Sequence, residues 1–410
     1  MPPPTEAIAV GDLRVVARCF DAAPPDVGGA YARIGAAAVN DAGEVAFAAR
    51  LAGSAYESAI VLVANGSARG VLRSMDRAPG GGRFRTFGEL DLGDDGSLFF
   101  RATLVDCRAS EGIFLLSEAE VRQVARAGER SPSGHVHRSF EQLSLTSCVL
   151  PSGPYFRLAC VARAPEGRGS LVVWRSYAAP TELLAAGTRV AGGVLKDLTI
   201  SRLGLGLCCI AELGGRHAPR RTALLAHEGM VIWGDQLREG GRVGQERPIA
   251  RILGPPAINI HTGFVALELE DGTSALATRP VGIDPEVFAR TGDPAPGLAD
   301  QRIVRFGAPV ASSGVPRGGK FGIASAVDLS GGGRALWVGV FESQVPMRGG
   351  VIIPFCTGDS SDDERALEVD AFTPVKLSNT GVVLLRATLR GEGCCRDGLL
   401  VLDRLFEWYR

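Results

Sequence analysis

The residues able to do acid–base, nucleophilic or metal chemistry fall in a few short segments. Ser133-Gly134-His135-Val136-His137-Arg138 sets two imidazoles two positions apart. In an extended chain both would point to one side and could share a metal ion. No spacing fixes a third ligand, so an exposed loop without metal is the simpler reading. Asp106-Cys107-Arg108 brings a carboxylate, a thiol and a guanidinium together. Arg216, His217, Arg220 and Arg221 make a basic patch able to meet a carboxylate, a phosphate or an acidic partner. Cys394-Cys395 is followed by Arg396, a cation of the kind that lowers a thiol pKa, which would suit a redox or nucleophilic role. His135, His137, Asp106, Arg108, Arg216, His217, Arg220, Arg221, Cys394, Cys395 and Arg396 are the candidates for a ligand-binding face.

Other segments carry less. Cys208-Cys209 lies in an apolar run and reads as packing, and Asp359-Ser360-Ser361-Asp362-Asp363-Glu364 lacks the spacing of a calcium-binding EF-hand loop and reads as a solvated connection. The sequence has no P-loop, no dinucleotide fingerprint after a strand, no HExxH and no GxSxG. Gly204-Leu205-Gly206 stands inside a β-rich segment without the rest of a fingerprint. No cofactor is expected, and no metal site is assigned.

The elements that must position these residues are legible as a repeat. Asn40-Asp41-Ala42-Gly43-Glu44-Val45-Ala46-Phe47 returns as Asp94-Asp95-Gly96-Ser97-Leu98-Phe99-Phe100 and as Asn379-Thr380-Gly381-Val382-Val383-Leu384-Leu385. Weaker copies end at Gly153, Gly204, Gly263 and Gly319, so the intervals along the chain are 53, 57, 51, 59, 56 and 62. A second signature recurs out of phase. Val124-Ala125-Arg126-Ala127-Gly128-Glu129 resembles Phe288-Ala289-Arg290-Thr291-Gly292-Asp293, with looser copies at 15–21, 71–79, 183–187, 231–235 and 352–359.

One period holds four strands, taken at Phe84–Leu90, Ser97–Leu104, Gly112–Leu116 and Val121–Ala127. Two-residue alternation and tight glycine turns favour antiparallel pairing. Ser117–Arg130 could be read alone as a helix, but its counterparts elsewhere are β-rich and too short. Seven such units predict an all-β, seven-bladed β-propeller of four-stranded antiparallel blades. The phase of the ends predicts that the N-terminal strand closes the last blade, with residues 1–12 as a tail and 13–410 as one domain. The turn Asn and Asp side chains are expected to bond their own backbone rather than calcium.

On these residues the chain resembles the bacterial tandem-repeat proteins named for an NxxGxxAF motif. Asn40–Phe47 fits that motif at its Asn, Gly, Ala and Phe positions, and Arg290–Gly297 fits the Arg-Thr-Gly-Asp-Pro-Ala-Pro-Gly element that accompanies it in many members. The resemblance covers essentially the whole chain, weakest over 140–250, and implies a propeller. It carries no agreed chemistry.

Composition narrows the partners. The 44 basic and 45 acidic residues leave a net charge of −1, with no global field for nucleic acid or an anionic membrane. Only three of the basic residues are Lys, a skew that reads first as coding bias. No apolar run reaches the length of a membrane-spanning helix. The start lacks a basic-then-apolar leader, and nine Cys without a CxxC pair suit a reducing compartment, so a cytoplasmic location is expected. The leading expectation is a non-catalytic binding or scaffold propeller offering a loop-rich face or central channel to a protein partner or small ligand. An enzyme (hydrolase, lyase or cyclase) at the channel mouth is the alternative, because such sites draw single residues from several blades and spacing is blind to that. A secreted carbohydrate-binding module is a third, disfavoured by an aromatic content of 6%.

Overall fold

The computed structural model describes residues 13–403 apart from 132–133, 151–152, 176–177, 191–192, 201–206, 215–220, 229–230, 233–236, 259–261, 281–284, 296–297, 299, 313–319, 343–350, 355–367 and 392–393. The described chain contains strands and turns and no helix. Its strands form seven small antiparallel sheets, and the fold is a seven-bladed β-propeller.

Blade 1 comprises Ala30–Val39, Val45–Ala52, Ser58–Ala64 and Ser67–Arg73; blade 2 comprises Arg83–Leu92, Leu98–Val105, Glu111–Ser117 and Glu120–Arg126. Blade 3 runs from Ser139–Leu150 through Gly153–Arg163 and Gly169–Arg175 to Ala178–Ala185. In each, strands follow one another in chain order from first to fourth. Blade 4 is centred on Leu207–Gly214 and Arg221–Glu228, and its outer strand is split into Val231–Ile232 and Leu237–Arg238. Blades 5 and 6 have split first strands, Ile249–Ile252 with Ala257–Ile258 and Ile303–Phe306 with Val310–Ala311. Blade 7 takes Glu368–Leu377, Val383–Gly391 and Cys394–Leu402, and its outer strand is Leu13–Arg18 from the other end of the chain, as the phase of the repeat predicts.

The four strands expected in residues 84–127 are all present, and Glu120–Arg126 is a strand rather than a helix. The alternation is weaker than a half-exposed sheet would give. Val45-Ala46-Phe47-Ala48-Ala49 is buried at every position, because a blade is covered on both faces and its middle strands have no wet side. The first strands bulge: register shifts fall between Phe84 and Thr86 and again between Phe87 and Leu90 in blade 2, with counterparts in blades 1, 5, 6 and 7.

Two compact units divide the chain, residues 16–189 with 194–200, and residues 1–15, 190–193 and 201–410. In the first, one cluster joins Ala38, Ala46, Ile60 and Leu72 of blade 1 to Phe84, Phe100 and Phe114 of blade 2. The Phe84 ring meets Phe114 edge-on at 5.0 Å and Phe100 at 5.7 Å. In the second, Phe264 and Leu276 of blade 5 share a cluster with Ile303, Phe306 and Trp337 of blade 6. Blades 6 and 7 share another, in which Leu385, Leu389 and Leu400 are packed against by Leu13.

Candidate functional site

The second sequence signature is the joint between consecutive blades. The backbone amide at the end of a fourth strand donates to the side chain three residues on: Arg18 to Asp21 at 3.1 Å, and Arg73 to Asp76, Arg126 to Glu129 and Arg290 to Asp293 at 2.8 Å. The residue between takes the left-handed conformation, with φ of 72° at Phe20, 73° at Met75, 94° at Gly128, 97° at Gly187 and 91° at Gly292. Its amide donates to the carbonyl of Tyr31, Phe84, His137, Leu195 or Ile303 at 2.7 or 2.8 Å, at the entry to the next blade. Blade 4 shows where the sequence alignment slips. Its joint is Arg238-Glu239-Gly240-Gly241, with Gly240 at φ 78° donating to Ile249, and not the segment at 231–235. Arg238 pairs with Ala223 as Arg126 pairs with Gly112, because an insertion splits that outer strand.

This joint explains His137. It occupies the slot filled by Tyr31, Phe84, Leu195 and Ile303, each at most 4% exposed, and it is 6% exposed itself with its ring 5.2 Å from that of Phe140. Burial holds its pKa below the usual imidazole value, against the opposing pull of Glu182 and Glu129. His135 sits on the exposed hairpin between Arg130 and Val136. One imidazole is therefore core and the other solvated, and the shared metal that a two-residue spacing allows does not form. Among the described residues no group of three His, Cys, Asp or Glu could hold a metal ion.

Antiparallel order puts the loops from strand two to three, and from strand four to the next blade, at one end of each blade. In blade 2 that end carries Asp106, Cys107 and Arg108, all exposed, with Asp106 at φ 59° and 3.9 Å from Arg83. Arg126 is 8% exposed and reaches back to the carbonyls of Gly80, at 2.5 Å, and Gly81, with the Cys107 sulfur at 3.5 Å. It thus straps the blade 1–2 joint onto blade 2. Glu111 opens the third strand and accepts the Phe140 amide of blade 3 at 2.5 Å, with Arg101 at 3.4 Å. Burial pushes its pKa up against the pull of those two partners. Ser58 and Ser274 hold the equivalent position, and Ser274 likewise accepts the Phe306 amide at 3.3 Å.

The remaining candidates are less visible. Arg216, His217 and Arg220 lie outside the described residues, as do the acidic run at 359–364 and the copies ending at Gly204 and Gly319. Arg221 starts a strand. Cys394, Cys395 and Arg396 belong to the strand Cys394–Leu402, paired with Gly391, Arg390 and Leu389, and not to a loop. Cys160 is buried, and desolvation drives its thiol pKa far up, which makes it a core side chain and not a nucleophile.

What the motif search passed over is a departure inside the repeat. Gly128, Gly187 and Gly292 hold the left-handed position of three joints, while the first two joints put Phe20 and Met75 there. These side chains are 66% and 50% exposed. A left-handed conformation costs a residue with a Cβ about 1–2 kcal/mol, and half or more of each of these residues stays in solvent. Aligning the signatures column by column would have exposed the anomaly. At the same end of blades 1 and 2, Arg77, Arg85 and Arg108 are exposed and make no ion pair among the described residues.

A model described as a family of unknown function, DUF7453, matches residues 9–150. No curated protein matches the chain. Among solved structures, the BP39L lectin from Burkholderia pseudomallei is similar at 15% identity and a TM-score of 0.41, covering 89% of this chain and 98% of its own. The WD40 domain of SCAP from fission yeast is similar at 10% identity and a TM-score of 0.42, covering 96% and 88%. The Aleuria aurantia lectin follows at 11% identity and a TM-score of 0.35, covering 82% and 100%.

Proposed function

We propose that the protein is a non-catalytic binding propeller, and that the joint-bearing end of blades 1 and 2 docks a protein partner with an acidic, partly apolar surface. The observation that carries this reading is Met75, held at φ 73° and 50% exposed where four other joints use Gly. Strained conformations that persist without a packing reward mark functional positions. Large, stiff or adaptable apolar side chains in a polar surround are what interface anchors look like. The exposed cations Arg77, Arg85 and Arg108 supply the charge that an acidic partner would meet.

The test is photo-cross-linking from position 75, followed by binding assays on the partner captured. Met75→Asp and Arg77→Glu should each weaken that partner's binding at least about tenfold, the size of one lost anchor or desolvated charge contact. Arg69→Glu, at the opposite end of blade 1, should leave it unchanged. A partner bound equally by wild type and both joint variants would overturn the reading.

A further inference from the structure

The joint also fixes a pair of positions on the two inner strands. Two residues past the carbonyl that closes it, the first strand meets a set partner on the second, and side chains directly opposite share one face. In blade 2 the pair is Thr86 with Thr103, whose hydroxyls bond at 2.6 Å. Blade 3 sets Ser139 opposite Arg163, which pairs with Glu141 at 3.1 Å and with Asp197. Blade 5 has Arg251 and Glu268, joined at 2.6 Å. Blade 6 has Arg305 opposite Asp328, and blade 7 has Ala371 opposite Thr388. In each of these the pair is neutral, of opposite charge, or supplied with counter-charges from neighbouring strands.

Blade 1 breaks the column. Arg33 stands directly opposite Arg50, and both are exposed. Residues so placed lie about 4.5–5.5 Å apart, where like charges are destabilising. Neither guanidinium makes an ion pair or hydrogen bond among the described residues. Ser58, next along the ladder, faces Arg50 and donates its hydroxyl to the Arg85 carbonyl of blade 2 at 2.9 Å. The pair therefore lies on the face of blade 1 turned toward blade 2, at a seam where Arg85, also exposed, adds a third cation. The acidic residues nearby do not cancel the three. Glu57, whose carbonyl receives the Leu51 amide at 3.0 Å, is one step out of phase with Arg50 and Ser58 and so on the opposite face. Asp21 and Asp26 are paired with Arg18 and Arg73. Glu89 and Glu111 share Arg101, which leaves one negative charge, and Glu111 is turned to the Phe140 amide of blade 3. The seam keeps an excess of positive charge.

We propose that the seam binds a phosphate monoester, its dianion held between Arg33 and Arg50 with Arg85 at its edge. Two guanidinium forks match the charge of about −1.5 to −2 and the three acceptor oxygens of such a group, whereas a carboxylate fills only one fork. The repulsion that costs the free protein stability is relieved when the dianion enters, so binding is coupled to a defect that one substitution would remove. An exposed site of this kind should bind with a dissociation constant of about 1 mM at low salt. It lies at the docking end proposed above, but Arg33 and Arg50 take no part in that reading and Met75 takes none in this one, so each can fail alone.

The experiment follows the arginine Nε–H signals of the full chain by NMR during titration with phosphoserine in a short capped neutral peptide and, separately, with glycerol phosphate. Saturable shifts at Arg33 and Arg50 are the expected result. Tighter binding of the peptide assigns the group to a modified protein, and tighter binding of the glycerol ester to a free small molecule. Arg33→Gln and Arg50→Gln should each weaken binding about tenfold, and acetate should bind about tenfold more weakly than the esters. Arg69→Gln, at the opposite end of blade 1, should bind as wild type does. Without ligand both seam variants should melt at or above the wild-type temperature, because each removes the like-charge contact, so weakened binding cannot come from misfolding. Absent saturation up to about 20 mM, shifts confined to other arginines, unchanged binding by both variants, or acetate bound as tightly as the esters would each overturn the proposal.

Discussion

At the residue scale, His137 shows how a side chain that looks chemical can be structural. Its slot accepts Tyr31, Phe84, Leu195 and Ile303 in other joints, so the backbone asks only for an apolar body. The imidazole fits while neutral. Because burial keeps its folded-state pKa below 6.5, the unfolded chain takes up a proton that the folded chain refuses. The histidine's contribution to stability is therefore fully present above pH 6.5 and is lost as the pH falls through the lower, folded value. The expected slope is at most about 1.4 kcal/mol per pH unit. His137→Phe should remove this part of the acid dependence while stability at pH 8 stays level or rises. Thermal melts of both proteins between pH 4.5 and 8 would check it; parallel curves would mean that His137 is not buried in the folded protein. The sequence could not reveal this role because His135 and His137 differ only in where the hairpin Arg130–Val136 leaves them. That is set by hydrogen bonds to a signature many residues away from any histidine pattern.

At the scale of elements, the blades are joined by side chains that stitch one strand's start to the next blade. Ser274 does this with a hydroxyl and Glu111 with a carboxylate that also faces Arg101. Removing the acceptor orphans the buried Phe140 amide, which costs about 1–3 kcal/mol. Glu111→Ala should fall in that range, whereas Glu111→Ser, the residue other blades use, should recover part of it. Urea denaturation of the two variants would separate the stitch from mere side-chain size, since Ser and Ala differ by one hydroxyl; equal midpoints would show that the hydroxyl does not reach the amide. This exchange of Ser for Glu was not legible as a motif. What was legible is the period itself. The turns at Gly43, Gly96 and Gly381 need positive φ, at 76°, 78° and 88°, and a residue requirement of that strictness survives drift in everything around it. The alignment failed where geometry tolerated an insertion, at 231–238, because a split outer strand has no neighbour beyond it to enforce register.

At the scale of the molecule, the out-of-phase start of the repeat carries the strongest inference, because it links the two ends of the sequence in one sheet. Leu13–Arg18 is the outer strand of blade 7, beside Cys394–Leu402. Leu399, Leu400, Val401 and Leu402 are each no more than 1% exposed, and Leu13 packs on the cluster that holds Leu400 and Leu402. Without residues 1–18, Cys394–Leu402 would become an edge with unpaired amides and carbonyls beside freshly exposed leucines, which is a template for pairing with another chain. The chain starting at Cys19 loses the Arg18 contacts with Asp21 but keeps the Phe20 and Asp21 hydrogen bonds to Tyr31, so the loss falls mainly on blade 7. The truncated protein should melt about 2–3 °C lower, as a loss of about 2 kcal/mol implies for a chain of this size, and should form oligomers at concentrations where the full chain does not. A synthetic peptide covering residues 9–20 should restore both properties, because the edge it fills is already formed. Rescue by the peptide distinguishes strand replacement from general damage. A truncated chain as stable and as monodisperse as the full one would show that the first strand contributes nothing to blade 7.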